Sequence, residues 1–286
     1  MPDHDTLNAK NINFTAQFNE TIPSITMATI IYPSPVYGPV HSRRMGLSLG
    51  INLMPADGKV CTFDCIYCEC GFNADHIPHM PRPTREEVRQ KLAEKLAEMH
   101  VEGQVPDVLT FAGNGEPTLH PHFSEIISDT LSLRDRYCPN AKVSVLSNAT
   151  CLDRPKVVAA LKLVDNNILK LDTVDNEYIR RTDRPMNPNY DAATIIDRLC
   201  EFEGHVIVQT MFMKGRDLNG KSIDNTGEEY VAPWLEALKR IRPQKVMIYT
   251  IDRETPDTML EKASHTVLNA IKARVEALGI EASASY

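Results

Sequence analysis

The loop Cys61-Thr62-Phe63-Asp64-Cys65-Ile66-Tyr67-Cys68 places three thiols within eight residues of sequence. Closely spaced soft thiolates are ligands that suit zinc ions and iron–sulfur clusters. Structural zinc usually has four ligands, and no second cysteine pair or spaced histidine pair follows this loop. A cluster of four irons with three cysteines keeps one iron open, where a substrate or cofactor can coordinate. The loop therefore predicts an open [4Fe–4S] cluster or, with the nearby Cys70 as a fourth ligand, a single zinc ion.

On both sides of this loop, segments with strand character alternate with segments with helix character. Strands are predicted at 47–53, 107–112, 141–146, 168–172, 206–213 and 245–251. Helices are predicted at 84–99, 121–133, 155–163, 191–202, 228–241 and 258–278. Helices of this length between strands imply parallel pairing with right-handed crossovers. Six such β/α units predict an α/β fold, namely an incomplete (β/α)6 barrel of parallel strands.

Two of the predicted helices carry their own start signals. Thr84 is followed three residues later by Glu87, and Thr258 is followed three residues later by Glu261. This is the spacing of a capping box, in which each residue satisfies a free backbone N–H at the helix start. Gly279 provides a stop signal for the last helix. These signals predict that the first helix begins at 84 and that the last one begins at 258.

The N-terminal part of the chain differs from the rest. Residues 1–26 are polar and lack a sustained period, so they are expected to form a flexible extension that is dispensable for folding. An ordered arm along the barrel is the alternative. Residues 27–286 are expected to form one partial-barrel domain, since no linker or internal repeat divides them.

Composition favours a protein of the cytoplasm. Hydrophobic residues make up 42% of the chain and charged residues 24%, and no apolar run approaches the roughly 20 residues that a membrane helix needs. Seven cysteines without a regular framework are typical of free thiols or metal ligands in a reducing compartment. The formal net charge of −7 gives no general attraction to nucleic acid.

Polar or metal-binding clusters follow the first four predicted strands. They lie at 61–68, 113–117, 147–148 and 170–172. Ligands of parallel sheets and barrels bind at the carboxyl ends of the strands. We therefore expect the four clusters to converge on one rim of the barrel.

The spacing Cys-x3-Cys-x-aromatic-Cys at 61–68 resembles the signature of the radical S-adenosylmethionine (SAM) superfamily. The segment Phe111-Ala112-Gly113-Asn114-Gly115-Glu116-Pro117 resembles the Gly-Gly-Glu motif of that superfamily, with Asn114 separating the two glycines. The segment 38–52 is similar to the start of the wyosine-synthase-like subgroup. The resemblance implies a [4Fe–4S] cluster held by Cys61, Cys65 and Cys68, and SAM as the second cofactor.

The resemblance also implies which residues meet SAM. They are Tyr67, Gly113, Asn114, Gly115, Glu116, Ser147, Asn148, Lys170 and Asp172. Tyr67 corresponds to the aromatic position beside the adenine, and Glu116 offers an acceptor to the methionyl ammonium. For Lys170 and Asp172, a local ion pair at a strand end is an equally good interpretation. Ser147 and Asn148 also form a common turn pair.

In the superfamily, reductive cleavage of SAM yields a 5′-deoxyadenosyl radical that abstracts a hydrogen atom from the substrate. The resemblance implies this activity here on an unidentified substrate, with flavodoxin or ferredoxin as electron donor. The alternatives are a tRNA base-modifying enzyme, an activase of a glycyl-radical enzyme, or a non-catalytic zinc-binding protein. The tRNA-modifying relatives carry upstream cysteines, and this chain has none before Cys61. A small-molecule or protein substrate is therefore favoured over nucleic acid, although Arg43, Arg44 and Arg253 are candidates for phosphate contact at the barrel mouth.

Overall fold

The structure is a computed structural model that describes residues 29–42, 46–217 and 219–286. The predicted extension at 1–26 lies outside the described residues, and so do Arg43 and Arg44. None of the helices in these ranges combines the length and the apolar character that a bilayer span requires.

An eight-stranded sheet forms the centre of the described chain. The strands in chain order are β1 (Val36–Ser42), β2 (Gly46–Ile51), β3 (Val108–Phe111), β4 (Lys142–Ser147), β5 (Asn166–Lys170), β6 (Ile207–Met211), β7 (Met213–Gly215), β8 (Lys245–Tyr249), β9 (Leu260–Lys262) and β10 (Glu281–Ser285). The sheet order is β1-β2-β3-β4-β5-β6-β8-β10, while β7 and β9 form a small antiparallel pair. β1 runs antiparallel to β2, and every other pair in the large sheet is parallel.

Helices cover the outer face of the sheet. They are α1 (Arg85–Val101), α2 (Phe123–Tyr137), α3 (Pro155–Leu161), α4 (Asn176–Thr182), α5 (Ala192–Cys200), α6 (Glu228–Ile241) and α7 (His265–Glu276), with a short 3-10 helix at Pro117–Leu119. The outward side chains of the strands and the apolar faces of the helices belong to one core cluster. In α1, the residues Val88, Leu92 and Leu96 recur at helical spacing and are buried in this core.

The sheet curves so that its two edges approach one another. Tyr37 and His41 of β1 line the same cavity as Ser285 of β10, although these strands stand at opposite ends of the sheet order. The inner face carries a second, smaller apolar cluster that includes Ile168 and Ile207. The shape is that of an open barrel whose lumen is reached between β1 and β10.

The predicted α/β class with a mostly parallel sheet is confirmed, and all six predicted parallel strands are present. The sheet has two more strands than predicted, the antiparallel β1 and the parallel β10. The helix α4 was also not predicted. α6 has the predicted bounds, and Thr84 forms the predicted capping box with Glu87.

The prediction of one helix from 258 to 278 is wrong in its first part. Residues Leu260–Lys262 form β9, which pairs with β7, and the helix α7 begins only after its N-cap Ser264. The Ser264 side chain accepts a hydrogen bond from the backbone N–H of Val267 at 3.3 Å. Cross-strand pairing of this segment therefore overrides the capping-box spacing of Thr258 and Glu261.

Candidate functional site

The cysteine loop lies at the carboxyl end of the sheet and is joined to it by backbone hydrogen bonds. Val60 forms a parallel bridge with Gly115: the N–H of Val60 donates to the carbonyl of Asn114 at 2.9 Å, and the N–H of Glu116 donates to the carbonyl of Val60 at 3.0 Å. The loop is joined to the end of α4 as well, since the N–H of Asp64 donates to the carbonyl of Asp183 at 3.0 Å. The thiols are therefore presented on a segment held from two sides.

The three predicted ligands are half-buried residues of this loop, whereas Cys70 is buried. The Cys61 thiol lies 3.5 Å from the amide nitrogen of Asn148, and the Cys65 thiol lies 3.6 Å from a carboxylate oxygen of Asp183. Burial raises the pKa of Cys61 to about 12. A hydrogen bond from Cys70 holds the pKa of Cys68 below its ordinary value, with Lys59 nearby.

The three thiols do not converge on one point. Within the described ranges, no three cysteine, histidine, aspartate or glutamate side chains are grouped so that they could hold a single metal ion. In a cluster the ligand thiolates bind different irons, so they need not converge.

Gly115 lets the backbone of the second motif approach the start of the cysteine loop closely, whereas Gly113 packs against the Asn52 side chain. Gly115 has φ +129°, and a Cβ there would lie 1.9 Å from the carbonyl oxygen of Val60. Between the glycines, the Asn114 side chain is buried and donates to the carbonyls of Tyr32 and Pro55, each at 2.8 Å. Asn114 thus holds the segment that leads into β1, which is a structural contact in addition to the predicted cofactor contact.

Glu116 lies at the ends of β3 and β4 with its side chain fully enclosed by protein. One carboxylate oxygen accepts from the Thr118 hydroxyl at 2.6 Å and from the Ser147 hydroxyl at 2.8 Å. The other accepts from the backbone N–H of Asn148 at 2.7 Å. The carboxylate therefore joins the second and third predicted motifs, and its contact with the methionyl ammonium stays a prediction.

We expect Glu116→Gln to destabilise the fold by about 1–3 kcal/mol, because a Gln amide would place its N–H₂ against the backbone N–H of Asn148 or against that of Thr118, neither of which can accept. Chemical denaturation of the cluster-free protein measures this loss. SAM titration into the reconstituted variant then tests the predicted ammonium contact separately. Unchanged stability would contradict the bonding role of the carboxylate, and unchanged affinity would remove Glu116 from the SAM site.

Ser147 and Asn148 lie at the end of β4, and their side chains bond to two different motifs of the site. The Ser147 hydroxyl is used by Glu116, while the Asn148 amide donates to the Thr62 hydroxyl at 2.9 Å. Asn148 also accepts from the Thr150 hydroxyl at 2.7 Å, which closes a turn. Asn148 therefore both forms a turn and contacts the cysteine loop.

Lys170 and Asp172 form an ion pair of 2.8 Å at the end of β5. The hydroxyl of Tyr67 lies against both of them and is 2.7 Å from a carboxylate oxygen of Asp183. Burial opposes the charge of Lys170, but the carboxylates of Asp172 and Asp183 outweigh it and hold its pKa well above the usual range. Burial raises the pKa of Asp183. The sequence-predicted residues Tyr67, Lys170 and Asp172 are therefore brought together.

Two charged residues of the site were not found from the sequence. Asp183 follows α4, the helix that was not predicted, and contacts both Tyr67 and Cys65. Lys59 lies buried two residues before the first thiol. Lys59 could have been predicted as a site residue, because it is a charged residue close in sequence to the predicted ligand Cys61. Asp183 could not, because no motif or residue spacing connects it with the cysteine loop.

A cavity of about 450 Å³ opens beside this cluster. It extends from Tyr67 along the inner face of the sheet to the two edge strands, and its rim includes Tyr32, Tyr37 and Arg253. Arg253 pairs with Glu69 at 2.7 Å and donates to the Tyr32 hydroxyl at 3.2 Å. Arg253 therefore lies at the barrel mouth, where its contact with phosphate stays a prediction.

Comparison with known proteins identifies the class. The sequence model of the Radical SAM superfamily matches residues 57–229, which contain all three loop cysteines and the motifs at the ends of β3, β4 and β5. The chain belongs to the radical SAM superfamily, as the cysteine spacing predicted. Members of this superfamily are iron–sulfur enzymes that use a [4Fe–4S] cluster together with SAM.

Curated relatives narrow the similarity further. The chain is 33% identical over 223 residues to a UPF0026 protein of Helicobacter pylori strain J99, a match that covers 76% of this chain and 66% of the relative. It is 32% identical over 228 residues to a UPF0026 protein of Synechocystis, covering 77% of each chain. The chain thus spans about two thirds of the length of the Helicobacter relative.

Solved structures show the same fold at low identity. A radical SAM methyltransferase from Sphaerobacter thermophilus gives a TM-score of 0.61 at 14% identity, over 84% of this chain and 66% of that one. SuiB of Streptococcus suis bound to S-adenosylmethionine gives 0.60 at 12% identity, over 83% of this chain and 50% of that one. TYW1 with a lysine-pyruvate adduct bound gives a TM-score of 0.55 at 14% identity, over 80% of this chain and 73% of that one. At these identities the likeness concerns the fold alone.

The residues present fit the cofactor set of the superfamily. Three soft thiols lie on one loop, which is the donor chemistry of an iron–sulfur cluster. Gly115 lets the backbone of the second motif pair closely with Val60 at the start of this loop, and Tyr67, which precedes the third cysteine in the sequence, lines a cavity.

Proposed function

We propose that this protein binds a [4Fe–4S] cluster through Cys61, Cys65 and Cys68 and abstracts a hydrogen atom from a small molecule or a protein segment. Cluster and SAM together supply a 5′-deoxyadenosyl radical as the abstracting species. The observation that carries the proposal is the cavity, because its lining includes Tyr67, the residue before Cys68 in the sequence, together with residues of the edge strands β1 and β10. A radical formed at the loop would therefore meet its substrate inside the barrel.

The chain's own residues would bind and orient SAM at the strand ends. The backbone at 113–116 would receive the methionyl moiety, since backbone hydrogen bonds with Val60 hold this segment against the start of the cysteine loop. Tyr67 would lie beside the adenine, its hydroxyl held by the Lys170–Asp172 ion pair. Because Lys170 is held protonated by two carboxylates, its role is to orient Tyr67 and to bind anionic or hydroxyl groups of the cofactor.

The cavity favours a small substrate or a single inserted side chain. A volume of about 450 Å³ lies within the range of small-molecule sites. Its rim carries acidic residues, Glu69 and Asp252, beside Arg253. Proteins that grip a polynucleotide usually use a basic face, and this chain has 38 acidic against 31 basic residues. We propose flavodoxin or ferredoxin as the electron donor.

The test is anaerobic reconstitution with iron and sulfide, followed by incubation with SAM and dithionite. We expect a brown protein that releases 5′-deoxyadenosine, which mass spectrometry detects. Cys138→Ala is a matched control, since this thiol is buried away from the loop in the outer core. A colourless protein that contains zinc and forms no 5′-deoxyadenosine would contradict the proposal.

The substrate class is tested by adding candidate pools to the same reaction. Small-molecule extract or a protein fraction is expected to increase 5′-deoxyadenosine formation, whereas total tRNA is not. Binding of tRNA that weakens steeply with salt, with product formed on the RNA, would contradict the proposed substrate class while leaving the cofactor chemistry intact.

A further inference from the structure

Lys59 lies two residues before the loop that carries the three cluster ligands, and its side chain packs against that loop. Its side chain is 1% exposed, and its ammonium donates to the carbonyl of Gly71 at 2.6 Å. The same ammonium lies 3.9 Å from a carboxylate oxygen of Asp64. Asp64 stands between the first and second ligands, and Gly71 stands three residues beyond Cys68. The positive charge is therefore enclosed between the two halves of the ligand loop.

The protein compensates this buried charge only in part. The Asp64 oxygen nearest to the ammonium also accepts from the backbone N–H of Asn73 at 2.7 Å, and the other oxygen faces Arg184 at 3.4 Å. At 3.9 Å the pair with Asp64 is at the limit of an ion pair. A buried ammonium costs free energy unless close anions and hydrogen bonds offset the lost hydration. Asp64 is thus too distant and too widely shared to offset the charge of Lys59 alone.

Both protein partners of the Lys59 ammonium are tied to cluster ligands. Asp64 directly precedes Cys65, and the N–H of Gly71 donates to the carbonyl of Cys68 at 2.9 Å. An iron–sulfur cluster with three thiolates carries net negative charge, so a bound cluster would complete the pairing that Asp64 leaves incomplete.

We propose that Lys59 is a cationic positioning residue of the cluster and that its buried charge favours cluster reduction; this rests on the proposed function. Reduction adds one negative charge to the cluster, and a fixed cation nearby stabilises the reduced state more than the oxidised state. Net charge, hydrogen bonds and solvent exposure set the potentials of such clusters. Because Lys59 is shielded from water, its effect is screened far less than that of a surface cation.

The test is a redox titration of the reconstituted full chain without SAM, followed by electron paramagnetic resonance. For Lys59→Met we expect the reduction equilibrium constant to fall by at least about tenfold, which is about 59 mV for a one-electron couple. Lys59→Arg keeps the charge and is expected to stay within about threefold of the original. Arg184→Gln is the matched control: this cation also faces Asp64, but its side chain is 43% exposed, so we expect a change below about threefold.

A second measurement separates this role from simple loop support. Before reconstitution, the melting temperature of Lys59→Met is expected not to fall, because the substitution removes an incompletely paired buried charge. A lower melting temperature or failure to fold would overturn the proposal, and it would show that Lys59 stabilises the fold through its hydrogen bond to the Gly71 carbonyl. An unchanged potential in a folded, iron-loaded Lys59→Met protein would also overturn it. Failure of the original chain to bind a cluster would instead refute the proposed function.

Discussion

Replacing Cys61, Cys65 or Cys68 with alanine is expected to abolish stable iron binding, whereas Cys70→Ala is expected to keep near-normal iron. The three expected ligands lie within the loop at 61–68, while the Cys70 thiol lies beyond it and faces the carbonyl of Gly113 at 3.4 Å. With only two thiolates the cluster has lost one of its three protein ligands, and the fold cannot supply a replacement. Iron and sulfide content after anaerobic reconstitution measures the effect for each variant.

The Cys70 variant decides between the two metal sites that the sequence allows. Loss of metal in Cys70→Ala as complete as in the other three variants would contradict the three-ligand cluster and favour a four-cysteine site. Cys138→Ala controls for the loss of any thiol, because Cys138 is buried in the outer core.

We expect Gly115→Ala to destabilise the protein by about 3 kcal/mol or more and to prevent cluster assembly. The added Cβ would lie 1.9 Å from the carbonyl oxygen of Val60, and the backbone at +129° is a conformation that alanine rarely adopts. Strain and overpacking each cost on the order of 1–3 kcal/mol, and backbone atoms on the opposite side have no rotamer through which to relax. Chemical denaturation of the cluster-free variant measures the loss.

Gly103→Ala is the matched control for this substitution. Gly103 has φ +70°, and nothing lies within 4 Å of the position of its Cβ. Its replacement is expected to cost only about 1–2 kcal/mol, the penalty of the left-handed backbone itself. Equal losses in the two variants would show that contact with Val60 is not what makes Gly115 necessary.

The elements that were predicted correctly depend on local chemistry. The capping box at Thr84 forms because both partners lie within one helical turn. β10 was missed because its sequence Glu-Ala-Ser-Ala-Ser has neither branched nor aromatic residues, and its strand character comes from pairing with β8. The capping-box spacing at Thr258 failed for the same reason, since pairing with β7 decides the conformation there.

The same distinction between local sequence signals and tertiary contacts applies to the candidate site. Motifs at 61–68, 113–117, 147–148 and 170–172 meet at one edge because the topology of parallel strands brings their carboxyl ends together. The partners of those motifs depend on tertiary packing. Asp183 reaches Tyr67 from a turn after α4, and Glu116 is enclosed by hydroxyls of two neighbouring segments, neither of which sequence spacing can reveal.

The backbone bonds of the cysteine loop make it part of a larger cooperative unit. Val60 pairs with the 113–116 segment, Asp64 and Ile66 donate to the end of α4, and the N–H of Asp257 donates to the carbonyl of Ile66 at 3.1 Å. Segments held in this way open only when their partners open, so their amide hydrogens exchange slowly with solvent. The ligand loop is therefore held by main-chain hydrogen bonds that do not involve the metal, and less of the free energy of metal binding is needed to fold it.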